Sequence, residues 1–342
     1  MPRVFSKKHR MLVGIDIGAS AVKLVELACS GARYQVEAYA IEPLPANAVV
    51  ENAIVEPEAV GQAIARLLLK ARARSRQAVV AVSGSAVITK TLEMSAGLSV
   101  DELEIRLRVD ADQYIPYPLD DMALDFQVLG ASAANPGQVS VLLAACRRES
   151  VERLEAVLDL AGLVPAVVDV EDHAWQRAVA LLPDLQRCVV AVVDIGASLT
   201  TLHVLCDGLI VYSREHLFAA PQLTADLQPC YGQGAPMVAL DDWVQCVPDQ
   251  PLCEALVQQV CRALQMYADT CQYPAVEHVL LAGVGASSIG LEPMLEQCLG
   301  IPTRLANPFT DMTLAGQVNA ATLAGDAPAL MIACGLALRS FD

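Results

Sequence analysis

The chain has 342 residues, 54% of them hydrophobic and 18% charged, with a formal net charge of −16. That length predicts two domains or more, and the apolar content is ample for real cores. The acidic balance excludes wholesale nucleic-acid binding, which needs clustered Lys and Arg. No apolar run near the roughly 18 residues of a bilayer span stands out, and the basic start (Arg3, Lys7, Lys8, Arg10) runs straight into a strand with no cleavage site, so a cytoplasmic protein is expected. Eleven Cys are present without a Cys-x-x-Cys, which disfavours zinc and disulfide frameworks.

In chain order, residues 11–42 read as three strands with turns at Ala19-Ser20 and Ser30-Gly31. A helix follows over 57–73, with Pro57 in its first turn and Val60, Ile64, Leu67 and Leu68 at helical spacing. An apolar strand follows at 78–82. The texture then changes. A strand over 87–94 precedes Ser99-Val100-Asp101-Glu102, a capping box that opens a helix. Tyr114-Ile115-Pro116-Tyr117-Pro118 ends that helix, because each Pro disfavours helix in the residue before it. Strands at 123–129 and 139–145 and a helix from Ser150 to Ala161, stopped by Gly162, complete a β-α-β-β-α unit that reads as an insert over 86–163. Strand 166–170 and helix 171–182 lead to a second apolar strand at 189–193 and a hairpin at 200–213. Beyond it come a helical stretch near 218–230, a loose segment 232–251, a long amphipathic helix over 252–272, a strand from Val279 into a Gly-rich turn, and an apolar tail helix over 327–338.

Asp16-Ile17-Gly18-Ala19-Ser20 recurs as Asp194-Ile195-Gly196-Ala197-Ser198. Each copy follows an apolar strand and precedes another with Leu at matching places (Leu24 and Leu27; Leu202 and Leu205), then a small-residue turn and a Tyr (Tyr34; Tyr212). A long-period repeat of this kind implies two similar domains facing each other. Their hairpins would clamp a polyphosphate, since Gly and small residues let backbone N–H groups approach phosphate oxygens. Asp16, Gly18, Ser20, Asp194, Gly196 and Ser198 are the candidate nucleotide contacts, with Asp16 and Asp194 holding Mg²⁺ through water. Lys23 is placed to meet a phosphate as a point charge, or to be a solvated strand residue. Gly283-Val284-Gly285 would pass beneath the adenosine, or would simply permit close helix–strand packing. Glu171 and Asp194 are the candidate catalytic carboxylates, Glu171 by orienting water. The alternative for Glu171 is a helix N-terminal charge. There is no P-loop and no Rossmann fingerprint, and the five His residues are scattered without metal-ligand spacing.

Two phosphate hairpins, a connecting helix and a later Gly turn resemble the actin, sugar-kinase and Hsp70 superfamily. Within it the chain resembles the actin-like PilM family of type IV pilus assembly. The resemblance rests on Val13 to Gly18, Ala111-Asp112-Gln113-Tyr114-Ile115-Pro116-Tyr117-Pro118-Leu119, Leu124 to Leu129, Val192 to Gly196 and Gly300 to Arg304. It implies an α/β actin-like two-lobed ATPase fold of duplicated RNase H-like domains with an FtsA-type small α+β insert. The first lobe would comprise 1–85, 164–190 and 326–342, the second 191–325. It also implies ATP with Mg²⁺ between the lobes, and a groove beside the insert, lined by Leu92, Ile115 and Tyr117, that takes the cytoplasmic N-terminal peptide of PilN. The role implied is an adaptor of the pilus inner-membrane assembly platform, held at the membrane through partners that include motor components. Self-association is a further possibility under this resemblance. The rivals are a filament-forming FtsA- or actin-like ATPase and a small-molecule kinase. Relatives carry Thr or Ser where Ala19 stands and Gly where Val284 stands, so turnover is expected to be that of a slow ATPase at most.

Overall fold

A computed structural model describes residues 11–31, 33–132, 135–216, 250–288 and 290–341. The basic residues Arg3 to Arg10, the helical stretch at 218–230 and most of the 232–251 segment lie outside the described residues. The chain begins with β1 (Val13–Ile17), β2 (Ala21–Ser30) and β3 (Arg33–Pro43), a small hairpin of β4 (Val49–Val50) and β5 (Ala53–Ile54), then α1 (Pro57–Ala71) and β6 (Gln77–Val82). Next come β7 (Ile88–Ser95), α2 (Val100–Asp110), β8 (Met122–Ala131), β9 (Gln138–Arg147) and α3 (Arg148–Leu160). Then follow β10 (Val164–Val170), α4 (Glu171–Val179), β11 (Val190–Ile195), β12 (Thr200–Cys206) and β13 (Leu209–His216). The described chain closes with α5 (Gln250–Thr270), β14 (His278–Ala282), α6 (Leu291–Leu299), β15 (Thr303–Leu305), β16 (Thr313–Leu314), α7 (Ala320–Asp326) and α8 (Met331–Ala337).

The repeat in the sequence is a repeat in topology. One sheet runs β10-β6-β1-β2-β3-β16, the other β13-β12-β11-β14-β15. Read outward from the hairpins, β3-β2-β1-β6-β10 and β13-β12-β11-β14-β15 have the same order. In each, an antiparallel meander continues into a strand parallel to the first, β6 beside β1 and β14 beside β11. Strands that end up central are buried on both faces, which is why Val13 to Ile15 and Val190 to Val193 are apolar without alternation.

Two helices join these sheets. A core runs from Leu12 and Val79 of the first sheet, through Trp175 and Ala178 of α4 and Met331 and Leu336 of α8, to Val190, Val192 and Leu280 of the second. The contact between α8 and its neighbours is backbone to backbone. A Cβ on Gly335 would fall on the Ala174 carbonyl of α4, and one on Gly14 of β1 on the Ala333 carbonyl of α8. The segment Ala320–Phe341 spans 22 residues with a mean hydropathy of 1.6, apolar enough to cross a bilayer, yet 67% of its apolar window is buried inside the protein. This corrects the expectation that no such run exists. Its apolar residues are a core rather than a membrane face, because they pack on β1, β2 and α4. The second sheet's opposite face is covered by α5 and α6, with Val193, Leu202 and Val204 against Val260, Tyr267 and Leu295.

The chain divides into two compact units, Met1–Ala81 with Val157–Asp342, and Val82–Ala156. The smaller one is a three-stranded sheet, β7-β9-β8, with α2. Ser99 and Glu102 form the expected capping box: the Glu102 N–H donates to Ser99 Oγ, and the Ser99 N–H donates to Glu102 Oε2 at 2.8 Å. Leu103 and Leu107 of α2 pack with Met94 and Val141, and a second cluster gathers Ala111, Ile115, Met122, Leu143 and Ala145.

Candidate functional site: two carboxylate hairpins around one lysine

Alternate residues of a strand share a face. Asp16 therefore lies on the face of Leu12 and Gly14, and Asp194 on that of Val190 and Val192. Both faces are turned to α4 and α8. Each carboxylate ends its row one residue before its strand stops. The turns that follow are alike: the Gly18 N–H donates to Ala21 O at 3.0 Å and the Gly196 N–H to Leu199 O at 2.9 Å. Glycine is required at the second, because a Cβ there would stand 2.8 Å from Leu199 O.

Across the first hairpin Asp16 faces Lys23 in register. Lys23 Nζ donates to Asp16 Oδ2 at 2.7 Å, with both residues buried, at 8% and 4% exposure. Burial alone would pull the Lys23 ammonium down, but the charge and hydrogen bond of Asp16, with the further charges of Asp194 and Glu171, outweigh it and leave it raised. Asp194 is pushed up to about 6, first by burial and then by Asp16, with Lys23 opposing. Lys23 is thus bonded to Asp16 and feels the charges of Asp194 and Glu171. Glu171 comes from the first residue of α4 and is half-buried.

The third predicted element arrives on top of the second hairpin. Gly285 N–H donates to Ile195 O at 2.9 Å and Gly283 N–H to Pro328 O at 2.9 Å. Gly283 has φ +87°, and a Cβ on it would fall on the Asp194 Oδ1 carboxylate oxygen. A Cβ on Gly285 would sit 2.5 Å from Ile195 Cγ2. Packing against Asp194-Ile195 accounts for both glycines. Ser20 and Ser198 stand half-buried at the hairpin tips.

Asp16, Lys23, Asp194 and Glu171 are therefore brought together, with Gly18, Gly196, Gly283 and Gly285 shaping the turns around them. Among the described residues no group of three or more His, Cys, Asp or Glu side chains gathers to hold a metal directly. The expected partner residues fall in the smaller unit and separate by burial. Ile115 is 4% exposed and belongs to that unit's core, so it offers no docking surface. Leu92 is half-buried between the unit's two core clusters. Tyr117 is exposed at 44%, with the Arg147 guanidinium 4.8 Å above its ring.

Sequence reasoning missed the neighbouring charge hub. Asp169 is 7% exposed and meets Arg177, His173 at 3.5 Å and Arg339 at 3.5 Å. Burial pushes its carboxyl up, but His173, Arg177 and the Val170 N–H prevail and hold it down at about 2. The spacing of His173 and Arg177, one helical turn apart, was the available signal. Thr200 Oγ1, buried in the second hairpin, has no hydrogen-bond partner, as does Gln259 Oε1 on α5. No sequence signal marks that.

Duplicated sheets of one topology, joined by α4 and α8 and meeting at paired Asp-x-Gly hairpins, define the actin-like ATPase fold with a small inserted unit. The chain belongs to the family described as type IV pilus assembly protein PilM, whose match spans residues 14–341. It is similar, at 30% identity and a TM-score of 0.78 covering 100% of both chains, to a chain of a PilM-PilN type IV pilus biogenesis complex. The ethanolamine utilization protein EutJ from Carboxydothermus hydrogenoformans shares the fold at 16% identity, with a TM-score of 0.55 over 99% of this chain and 91% of its own. The cell division protein FtsA of Pseudomonas aeruginosa is 24% identical over 241 residues, 64% of this chain and 57% of that relative, so the match covers less than two thirds of FtsA.

Proposed function

We propose that this chain is a nucleotide-binding adaptor of the type IV pilus inner-membrane platform, taking Mg·ATP between its two hairpins and an extended PilN peptide on its small unit. In this reading the first lobe comprises 1–85, 164–190 and 326–342, the second 191–325, and the insert 86–163. The observation that carries the nucleotide part is the cluster of buried Lys23 and Asp16 with half-buried Asp194 and Glu171, Asp194 raised to about 6. Two carboxylates, Asp16 and Asp194, around the Lys23 ammonium leave the site short of positive charge, and a divalent ion suits that deficit. Asp16 and Asp194 would hold Mg²⁺ through water, as a strongly hydrated ion prefers. Mg²⁺ supplies neutralisation of charge on the phosphate oxygens.

The chain's own groups do the rest. Lys23, held in place by Asp16, presents an ammonium to a phosphate oxygen. The hairpin turns, with Gly18 and Ser20 in one and Gly196 and Ser198 in the other, offer N–H and hydroxyl donors without side-chain bulk. Gly283 and Gly285 keep the turn beneath the adenosine flush with Asp194-Ile195. Glu171, at the first residue of α4 and within reach of the Lys23 charge, is the candidate to orient water. Ala19 offers no side-chain hydroxyl and Val284 stands where a glycine would leave room, which favours a binding latch over rapid turnover.

The peptide part rests on likeness to a chain of a PilM-PilN complex over its full length and on the small sheet, where β7 and β8 are the outer strands of β7-β9-β8. An outer strand gives an extended peptide main-chain hydrogen bonds, and Tyr117 is an exposed aromatic contact on the same unit. A protein of charge −16 also favours a peptide with basic residues. Placement at the cytoplasmic side of the inner membrane follows from that partner.

Titration calorimetry tests both parts. Mg·ATP should bind the parent and bind Asp16→Asn and Asp194→Asn at least tenfold more weakly. The PilN N-terminal peptide should bind the parent and lose affinity with Leu92→Asp or Tyr117→Asp. Ile115→Asp is unsuitable, since it would place a charge in the unit's core. Equal nucleotide affinity in both Asn variants removes the site assignment; undiminished peptide binding in both the half-buried Leu92 variant and the exposed Tyr117 variant moves the peptide elsewhere.

A further inference from the structure

The second half of the molecule carries a pair of thiols that the nucleotide site does not use. Cys261 lies in the middle of α5 and Cys298 near the end of α6, and their sulfurs stand 2.9 Å apart across 37 residues of sequence. The two helices pack side by side over the outer face of the second sheet. Cys298 is exposed and Cys261 half-buried, so an oxidant reaches the first and the second waits behind it. A disulfide is about 2.05 Å long, so under about 1 Å of approach separates contact from bond.

We propose that Cys261 and Cys298 are an oxidation site, forming a reversible disulfide that staples α5 to α6 in response to low-molecular-weight disulfides. The Cys298 thiolate attacks one sulfur of R–S–S–R; the new Cys298–S–S–R bond forms, the R–S–S–R bond breaks, and the departing RS⁻ takes up the proton that Cys298 lost. Cys261 then attacks Cys298 Sγ. The bond to R breaks, and the second RS⁻ leaves with the Cys261 proton. Two protein thiols are oxidised by two electrons to one disulfide, and one R–S–S–R is reduced to two RSH. Burial, then the hydrogen bond and charge of Cys298, push the Cys261 thiol up to about 12. Cys298 is therefore the attacking sulfur. Once it is capped it carries no charge, and that part of the barrier to Cys261 is gone.

The staple has a definite place in the fold. α5 and α6 flank β14 and the Gly283–Gly285 turn in sequence, so the bridge closes a loop that contains both. Closing a loop of that length restricts the unfolded chain and raises the melting temperature by several degrees, about 4 °C or more for a chain of this size.

The test uses the full-length protein, reduced and then exposed to graded oxidised glutathione, alkylated and mapped by mass spectrometry without reduction. A peptide pair linked through Cys261 and Cys298 should form at the lowest ratios, revert with reduced glutathione, and accompany the rise in melting temperature. Cys261→Ser should stop with glutathione attached to Cys298, and Cys298→Ser should leave Cys261 unmodified. Accumulation of glutathionylated Cys298 in the parent without the bridge overturns the proposal, as does a bridge from either sulfur to another cysteine. If a serine variant fails to fold when reduced, the mapping of the parent decides alone.

Discussion

Asp194 is held in a state that its surroundings disfavour. Its carboxyl rises from 3.8 to about 6 on folding, so the stability it lends is complete below about pH 4 and is lost as the pH climbs through 6. His203 works the other way. Burial lowers it from 6.5 to about 4, so its contribution is complete above pH 6.5 and is lost as the pH falls toward 4. The two slopes oppose each other over one pH window and flatten the parent's curve. Asp194→Asn removes one of them. Without nucleotide, that variant should be more stable than the parent at pH 8 by on the order of 2 kcal/mol, and its stability should fall visibly from pH 6.5 to 4. Denaturant titrations across that range read both effects. An Asn variant less stable than the parent at pH 8 would mean that Asp194 is not strained in the free protein.

The elements show why one glycine, Gly335, is fixed. Gly335 lets α8 lie against α4 with backbones in contact, and Arg177 Nε donates to the Gly335 carbonyl at 2.8 Å across the same contact. Gly335→Ala forces these helices apart and should cost about 3 kcal/mol, since overpacking against backbone cannot relax through a rotamer. Because α4 also carries Glu171, the same variant should weaken Mg·ATP binding. Unchanged stability in urea would show that α8 can shift. The capping box of α2 is a contrasting case. Ser99→Ala should lower the small unit's stability by about 1 kcal/mol and leave Mg·ATP affinity as it was, because the quartet lies wholly in the larger unit. A change in nucleotide affinity would couple the two units.

On the scale of the whole molecule, the proposed reading makes nucleotide binding between the duplicated hairpins a latch. At a Mg·ATP concentration about 100-fold above its dissociation constant, the folded protein should gain about 2.7 kcal/mol, seen as a higher melting temperature that Asp16→Asn and Asp194→Asn reduce. Hydrolysis by the isolated chain should stay below about one turnover per second, the low end of efficient phosphoryl-transfer enzymes. A faster steady-state rate of phosphate release would turn the latch into an enzyme.

The sequence by itself determined the duplicated fold, because a strand, an Asp-x-Gly turn and a second strand are local features that recur with the same five residues at 16 and 194. It also determined the capping box of α2 and the Pro57 start of α1, whose causes lie within one helical turn. Only the tertiary structure decided the rest. Lys23 could have been a solvated strand residue until Asp194 and Glu171 came to its side from more than 140 positions away. Ile115 reads as surface in a Tyr-Ile-Pro-Tyr-Pro run, but Ala111 and the small sheet's Met122, Leu143 and Ala145 close over it. The apolar tail reads the same whether it faces lipid or protein, and the sheets it packs on settle that. Cys261 and Cys298 have no motif spacing, because two helices, not a loop, bring them together. Local chemistry is written in neighbouring residues; burial and charge pairing depend on which distant surfaces fold against each other.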